Sequence, residues 1–217
     1  MTTVRSRSRV ERGCATRRRI LTTAERLYAE RGLHAVSNRQ ISAAAGQGNN
    51  TAVGYHFGTK TDLVRAILRE HHSHIEELRR ERVTAVGGSR RVRDWVGCLV
   101  HPFTEHLASL GAPTWFARFA VQVMADPAFR PIMAEESLGT PTLRQVLDGF
   151  RACSPHLPDV VRAERGEMVR TLLLQVCAER ERALAEGAAS PGGAWSRTAA
   201  GLVDALTGLW TAPVTRL

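Results

Sequence analysis

The sequence predicts an all-α protein in two parts, a small N-terminal unit built on a helix-turn-helix and a longer helical body behind it. Three observations carry this. Apolar residues recur at helical spacing along most of the 217 residues. No segment shows the strict alternation of a half-buried strand. Between Arg17 and Leu78 four helical patterns follow in quick order, two of them short and joined by a tight turn containing glycine.

In chain order, Ile20, Ala24, Leu27 and Tyr28 fall on one face of an amphipathic helix that starts near Arg17 and stops at Gly32. Ser37 is placed to cap a short second helix carrying Ile41, Ala44 and Ala45, with Gly46 as its stop. After the turn GQGNN comes a third piece over residues 50–56. Thr59 then caps a longer helix, with Asp62 at capping-box spacing and Leu63, Ile67, His74, Ile75 and Leu78 continuing the stripe. Beyond GGSRR at residues 87–91, prolines punctuate helices expected at 90–109, with Pro102 as a kink point, and at 113–125, 127–137, 140–152, 158–187 and 194–211. The expected organisation is a basic flexible arm over 1–16, a three-helix helix-turn-helix domain over 17–62 and a longer helical domain over 63–217.

The formal net charge of +9 and pI near 10.7 favour a polyanionic partner. The excess is concentrated at the start, where Arg5, Arg7, Arg9, Arg12, Arg17, Arg18 and Arg19 face only Glu11. No apolar segment follows that would make this a signal peptide, and no run approaches membrane-spanning length. Cys14, Cys98, Cys153 and Cys177 are far apart without C-x-x-C spacing, so neither a disulfide framework nor a zinc site is indicated, and a reducing cytoplasm is expected. No G-x-S-x-G, glycine-rich phosphate loop or H-E-x-x-H occurs, so no motif supports an enzyme. No cofactor is implied.

Helix-turn-helix geometry places the third helix for entry into a major groove. Asn49, Asn50 and Thr51 stand at its start, where one amide can cap the free N–H groups and the next, Asn50, can match the N6 donor and N7 acceptor of adenine. The hydroxyl of Ser37 at the start of the second helix can cap it, hold a phosphate oxygen, or both. In the second part, Trp95, Cys98, Phe103, His106, Trp115, Phe116, Phe119, Val123, Met124 and Gln175 are candidates for a pocket between helices; the plainer reading is that most are core. His71, His72 and His74, with Glu77 nearby, suggest a metal, but a solvated or interdomain helix face is preferred because no further ligand can be placed.

The stretches RRILTTAERLYAERG, ISAAAG and YHFGTKTDLV resemble the TetR family of bacterial transcription regulators, from Arg17 to about Ile67. Compared with that family the turn GQGNN carries one extra position, and Gly54 stands where an aromatic residue is common. The resemblance implies that Tyr55 and His56, at the end of the recognition helix, contact the DNA backbone. It places Lys60, the one lysine against 29 arginines, at a phosphate-binding position, and makes Phe57 the aromatic that pins the third helix to the first. It also implies that the last two long helices pair across a two-fold axis, with Leu202 and Leu206 in the dimer interface; the plainer reading is that these helices only close the core of the single chain. The function implied is a ligand-responsive regulator. It would be a repressor that binds a palindromic double-stranded operator as a homodimer and is released by a small apolar effector. The alternative is an all-α small-molecule-binding protein that does not bind DNA.

Overall fold

A computed structural model of the chain describes residues 2–49, 51–188 and 193–215, with side chains from Gly13 onward. Among these residues there is no strand. The helices are α1 (Thr2–Arg31), α2 (Asn38–Ala44), α3 (Ala52–Phe57), α4 (Lys60–Val86), α5 (Val92–Ser109), α6 (Phe116–Ala125), α7 (Arg130–Leu138), α8 (Pro141–Cys153), α9 (Asp159–Ala185) and α10 (Ala194–Thr211). None of them is long and apolar enough to cross a membrane.

The expected helices are present, with shifted ends where prolines were read as helix starts. Pro141 opens α8, the position where a missing N–H costs nothing. Pro113 and Pro127 instead lie in the turns before α6 and α7, which begin three residues later than their spacing suggests. Pro102 sits inside α5, which continues through it. At the N-terminus the backbone of α1 begins at Thr2, so residues 2–16, expected as a flexible arm, are drawn into the first helix. The side chains of Arg5, Arg7, Arg9 and Arg12 lie outside the described residues, as does Asn50.

In the N-terminal unit, Ile20, Leu27 and Tyr28 of α1 are buried in one core with Ile41, Val53, Phe57 and Leu63. Helix α4 leaves that unit and runs into the body, where it packs on α5, α7 and α8, while α10 packs on α5 and α9. Helix α6 lies between α9 and α1 and so ties the body back to the first helix.

Leu202 and Leu206, expected at a dimer interface, are 3% and 0% exposed within a single protomer. They turn inward in the layer α10 forms with α5 and α9, so they cannot also supply a surface for a second copy. The outward side of α10 carries Gly201, Ala205 and Gly208 instead.

Candidate nucleic-acid interface and interior cavity

Local hydrogen bonds set the geometry of the N-terminal unit. At the start of α2 the Ser37 hydroxyl accepts the Gln40 backbone N–H at 3.2 Å, and Gln40 Oε1 accepts the Ser37 N–H at 2.7 Å, a complete capping box. The hydroxyl also donates to Gln40 Oε1 at 2.9 Å, so it caps the helix whatever else it meets. The buried Ser42 hydroxyl accepts the Val53 N–H at 3.4 Å and fixes α3 against α2. Asn49 Oδ1 accepts both the backbone N–H of Thr51 at 2.9 Å and its hydroxyl at 2.7 Å. The Asn49 side chain therefore builds the turn into α3, bonding Thr51 ahead of the helix rather than a free N–H of its first turn.

Tyr55 is 84% exposed, and its ring meets His56 edge-on at 5.1 Å. Phe57 is buried, with the Arg17 guanidinium of α1 4.8 Å above its ring. Thr59 and Asp62 form the second capping box, and these hydrogen bonds hold the Asp62 carboxyl below its usual pKa. Lys60 is less free than its sequence position suggests. Its Nζ donates to the Leu33 carbonyl at 2.8 Å and lies 6.0 Å from the Tyr28 ring centre, and burial lowers its pKa. One of its three N–H bonds thus ties the start of α4 to the loop after α1.

Residues 20–67 match the family model described as bacterial regulatory proteins, tetR family. The chain carries the DNA-binding domain of the TetR family. The match covers that unit alone and indicates a TetR-type DNA-binding regulator. Comparison with curated proteins gives no match.

Behind this TetR domain the body encloses a cavity of about 950 Å³. Of the expected pocket residues, Phe103, Phe116 and Met124 are in its wall. The other seven lie elsewhere. Trp95 is packed over Gly149, and its indole N–H donates to the Ser89 carbonyl at 2.9 Å. Cys98 is buried and burial pushes its thiol pKa up. Trp115 precedes α6, and Gln175 is exposed and donates to Glu179. Phe119 and Val123 lie on the adjoining strip of α6 beside Phe116, outside the cavity wall, and Phe119 stacks on Tyr28 of α1 with ring centres 6.1 Å apart. Helix α6 therefore meets both the cavity and the TetR domain through neighbouring residues. Two further ties join the same parts: His34 pairs with Asp126 at 2.5 Å, and its ring lies 6.2 Å from that of Phe129.

His106, the remaining candidate, belongs to a buried relay. Its Nε2 lies 2.7 Å from His71 Nδ1, its Nδ1 lies 2.7 Å from His74 Nδ1, and His71 Nε2 lies 2.9 Å from Glu25 Oε2 on α1. One proton per ring satisfies the chain if every ring donates toward Glu25. The His71 ring also stacks on Phe116 at 3.8 Å, so a cavity wall residue touches the relay. His71 and His74 thus both face His106 rather than a common ion, and no group of described residues is arranged to hold a metal.

Burial, and then the neighbouring rings His71, His74 and His72, push the His106 pKa down to about 3. Burial, and then Arg79 and His71, push His72 down to about 4. Both are neutral when folded at a pH where the unfolded chain already takes up protons. Their contribution to stability is therefore complete above pH 6.5 and is lost as pH falls toward 4. Each should cost roughly 2 kcal/mol at pH 5, at about 1.4 kcal/mol per pH unit. Denaturant unfolding at pH 7.5, 6 and 5 checks this: the wild type should weaken steeply, and His72→Gln should follow a shallower curve. A flat wild-type profile would contradict it.

Polar wall residues outside the expected pocket set include His72, Arg79 and Arg162. A signal existed for two of them, because His72, Ile75 and Arg79 stand at i, i+3 and i+7 on one face of α4.

Proposed function

We propose that this TetR-type regulator is a cytoplasmic repressor that binds a palindromic operator as a homodimer and is released when a small, mainly apolar molecule fills the body cavity. One observation carries the effector reading. Phe116, Ala120 and Met124 of α6 line the cavity, while Phe119, one turn from Phe116 on the same helix, stacks on Tyr28 of the DNA-binding unit. A ligand that moves α6 must repack α1, and it shifts the equilibrium between DNA-bound and free forms only by its difference in affinity for the two. The exposed Tyr55, with His56, Thr51 and the start of α2 at Ser37, forms the DNA-facing surface in this reading, and Asn50 is its base reader. The two-fold partner meets the outer faces of α9 and α10, where Gly201, Ala205 and Gly208 permit close approach.

Selection of bound duplexes from a random DNA pool tests the reading. The selected sequences should be two-fold symmetric, and the protein should sediment as a dimer. Lys60→Ala should weaken binding to the selected and to random DNA by a similar factor, and lower the salt slope by about one ion. Asn49→Ala should also weaken binding on every sequence, with a lower melting temperature, because its side chain builds the turn. A loss confined to one base position in the Lys60 variant, or no symmetric sequence at all, would count against the assignment.

A further inference from the structure

Five arginines line the cavity wall with Asp159 and Glu167. Arg79 pairs with Glu76, Arg151 with Asp148, Arg162 with Asp159 and Arg170 with Glu167, while Arg130 Nε donates to the Met124 carbonyl. The remainder is largely apolar, with Ile75, Leu99, Phe103, Phe116, Leu173 and Trp210 among the wall residues. At about 950 Å³ the space lies at the upper end of the range for sites of drug-sized ligands. Helix α8 packs on α4 and α5, α9 packs on α6 and α10, and the exposed residues Arg151, Asp159, Ala163, Glu167 and Arg170 rim the opening between them.

Two wall side chains carry a buried polar atom without a hydrogen-bond partner, Arg162 Nε and His72 Nδ1. The other nitrogens of Arg162 are engaged. Nη1 donates to Asp159 at 2.6 Å, and Nη2 donates to the Leu157 carbonyl at 2.7 Å. A guanidinium Nε–H can only donate, so its partner must be an acceptor. Such buried groups are rarely left unmade in native structures. His72 adds a second hydrogen-bonding atom without adding charge, since its ring stays neutral near pH 7.

We propose that the effector is an amphipathic monoanion, an apolar body of alkyl or aryl carbons bearing one carboxylate that accepts from Arg162. This deepens the effector reading above and rests on it. Arginine's fixed donors suit a planar carboxylate, and charge-assisted hydrogen bonds of this kind are about twice as strong as neutral ones. Asp159 and Glu167 sit beside the arginines and disfavour a headgroup with two or more negative charges.

Calorimetric titration of the full-length protein tests this without DNA, using dodecanoate and biphenyl carboxylate as acids, with dodecanol and dodecylamine as matched neutral and cationic probes. At least one acid should bind, roughly tenfold or more tighter than the alcohol, and the amine should be weakest. Arg162→Gln should abolish the preference for acid over alcohol while leaving the affinity for dodecanol unchanged, which also reports that the cavity remains folded. Equal binding of acid and alcohol, an acid preference that survives Arg162→Gln, or no binding of either acid overturns the proposal. A mobility-shift assay with the selected duplex separates the two readings. If an acid binds as described and DNA is still held, the ligand class stands and release by effector falls. If neither acid binds while another compound releases the DNA, the reverse holds.

Discussion

Glu181→Ala is expected to lower the free energy of unfolding by about 3–5 kcal/mol, the range for breaking one side of a buried charge pair. The carboxylate is 1% exposed and accepts four hydrogen bonds. These come from the Thr114 hydroxyl at 2.5 Å, the backbone N–H of Ala117 at 3.2 Å, that of Arg118 at 3.0 Å, and Arg118 Nε at 3.2 Å. Two of the donors are first-turn amides of α6, which has no side-chain cap of its own. Alanine would leave those amides and the largely buried Arg118 guanidinium unpaired. Because α6 joins the cavity to α1, the same loss should loosen that tie, and with it the coupling of ligand to DNA proposed above. Denaturant unfolding at neutral pH measures the first effect. Glu181→Gln, which keeps an acceptor but not the charge, should recover part of the loss, and a cost below about 1 kcal/mol for alanine would mean that α6 is held by packing alone.

Gly149→Ala should destabilise by about 1–3 kcal/mol although it replaces a glycine inside a helix, where alanine is ordinarily favoured by about 1 kcal/mol. A Cβ at Gly149 of α8 would stand 2.2 Å from Cδ2 and Cε2 of Trp95, closer than any van der Waals contact permits. The indole cannot easily withdraw, since it is buried and its N–H is bound to Ser89. Either the ring or α8 has to move, and α8 supplies Leu143, Leu147 and Phe150 to the cavity wall, so the cavity should change shape as well. Gly97→Ala on α5 is the control. Its Cβ would meet only His101 Cδ2 at 3.6 Å, an ordinary contact, so that variant should melt at or above the wild-type temperature. A lower midpoint in both, or in neither, would show that the Trp95 contact is not what decides the sign.

Much of the DNA-binding unit was legible because its determinants are local. Ser37 and Thr59 each cap a helix through a residue three positions on, and Gly46 ends α2 in a left-handed conformation that a side chain would resist. The helices of the body were found for the same reason, since periodicity and proline act over a few residues. The tie from Lys60 to the Leu33 carbonyl was not legible, because the two lie 27 positions apart in sequence and come within reach only once α1 and α4 have packed.

The sequence by itself determined the all-α class, the order of the helices, the two-part organisation and the DNA-binding motif, because hydrogen bonding within helices and caps depends on neighbours in the chain. Only the tertiary structure decided which side of each helix meets what. Phe116 and Phe119 are the same residue type three positions apart, yet one lines the cavity and the other stacks on Tyr28. Leu202 and Leu206 would suit a dimer interface as well as a core, and the packing of α10 on α5 and α9 places them in the core. Hydrophobicity drives a side chain out of water without specifying which apolar surface receives it. That choice is made by the packing of helices distant in sequence, and the cavity, the histidine relay and the Glu181 cap all arise there.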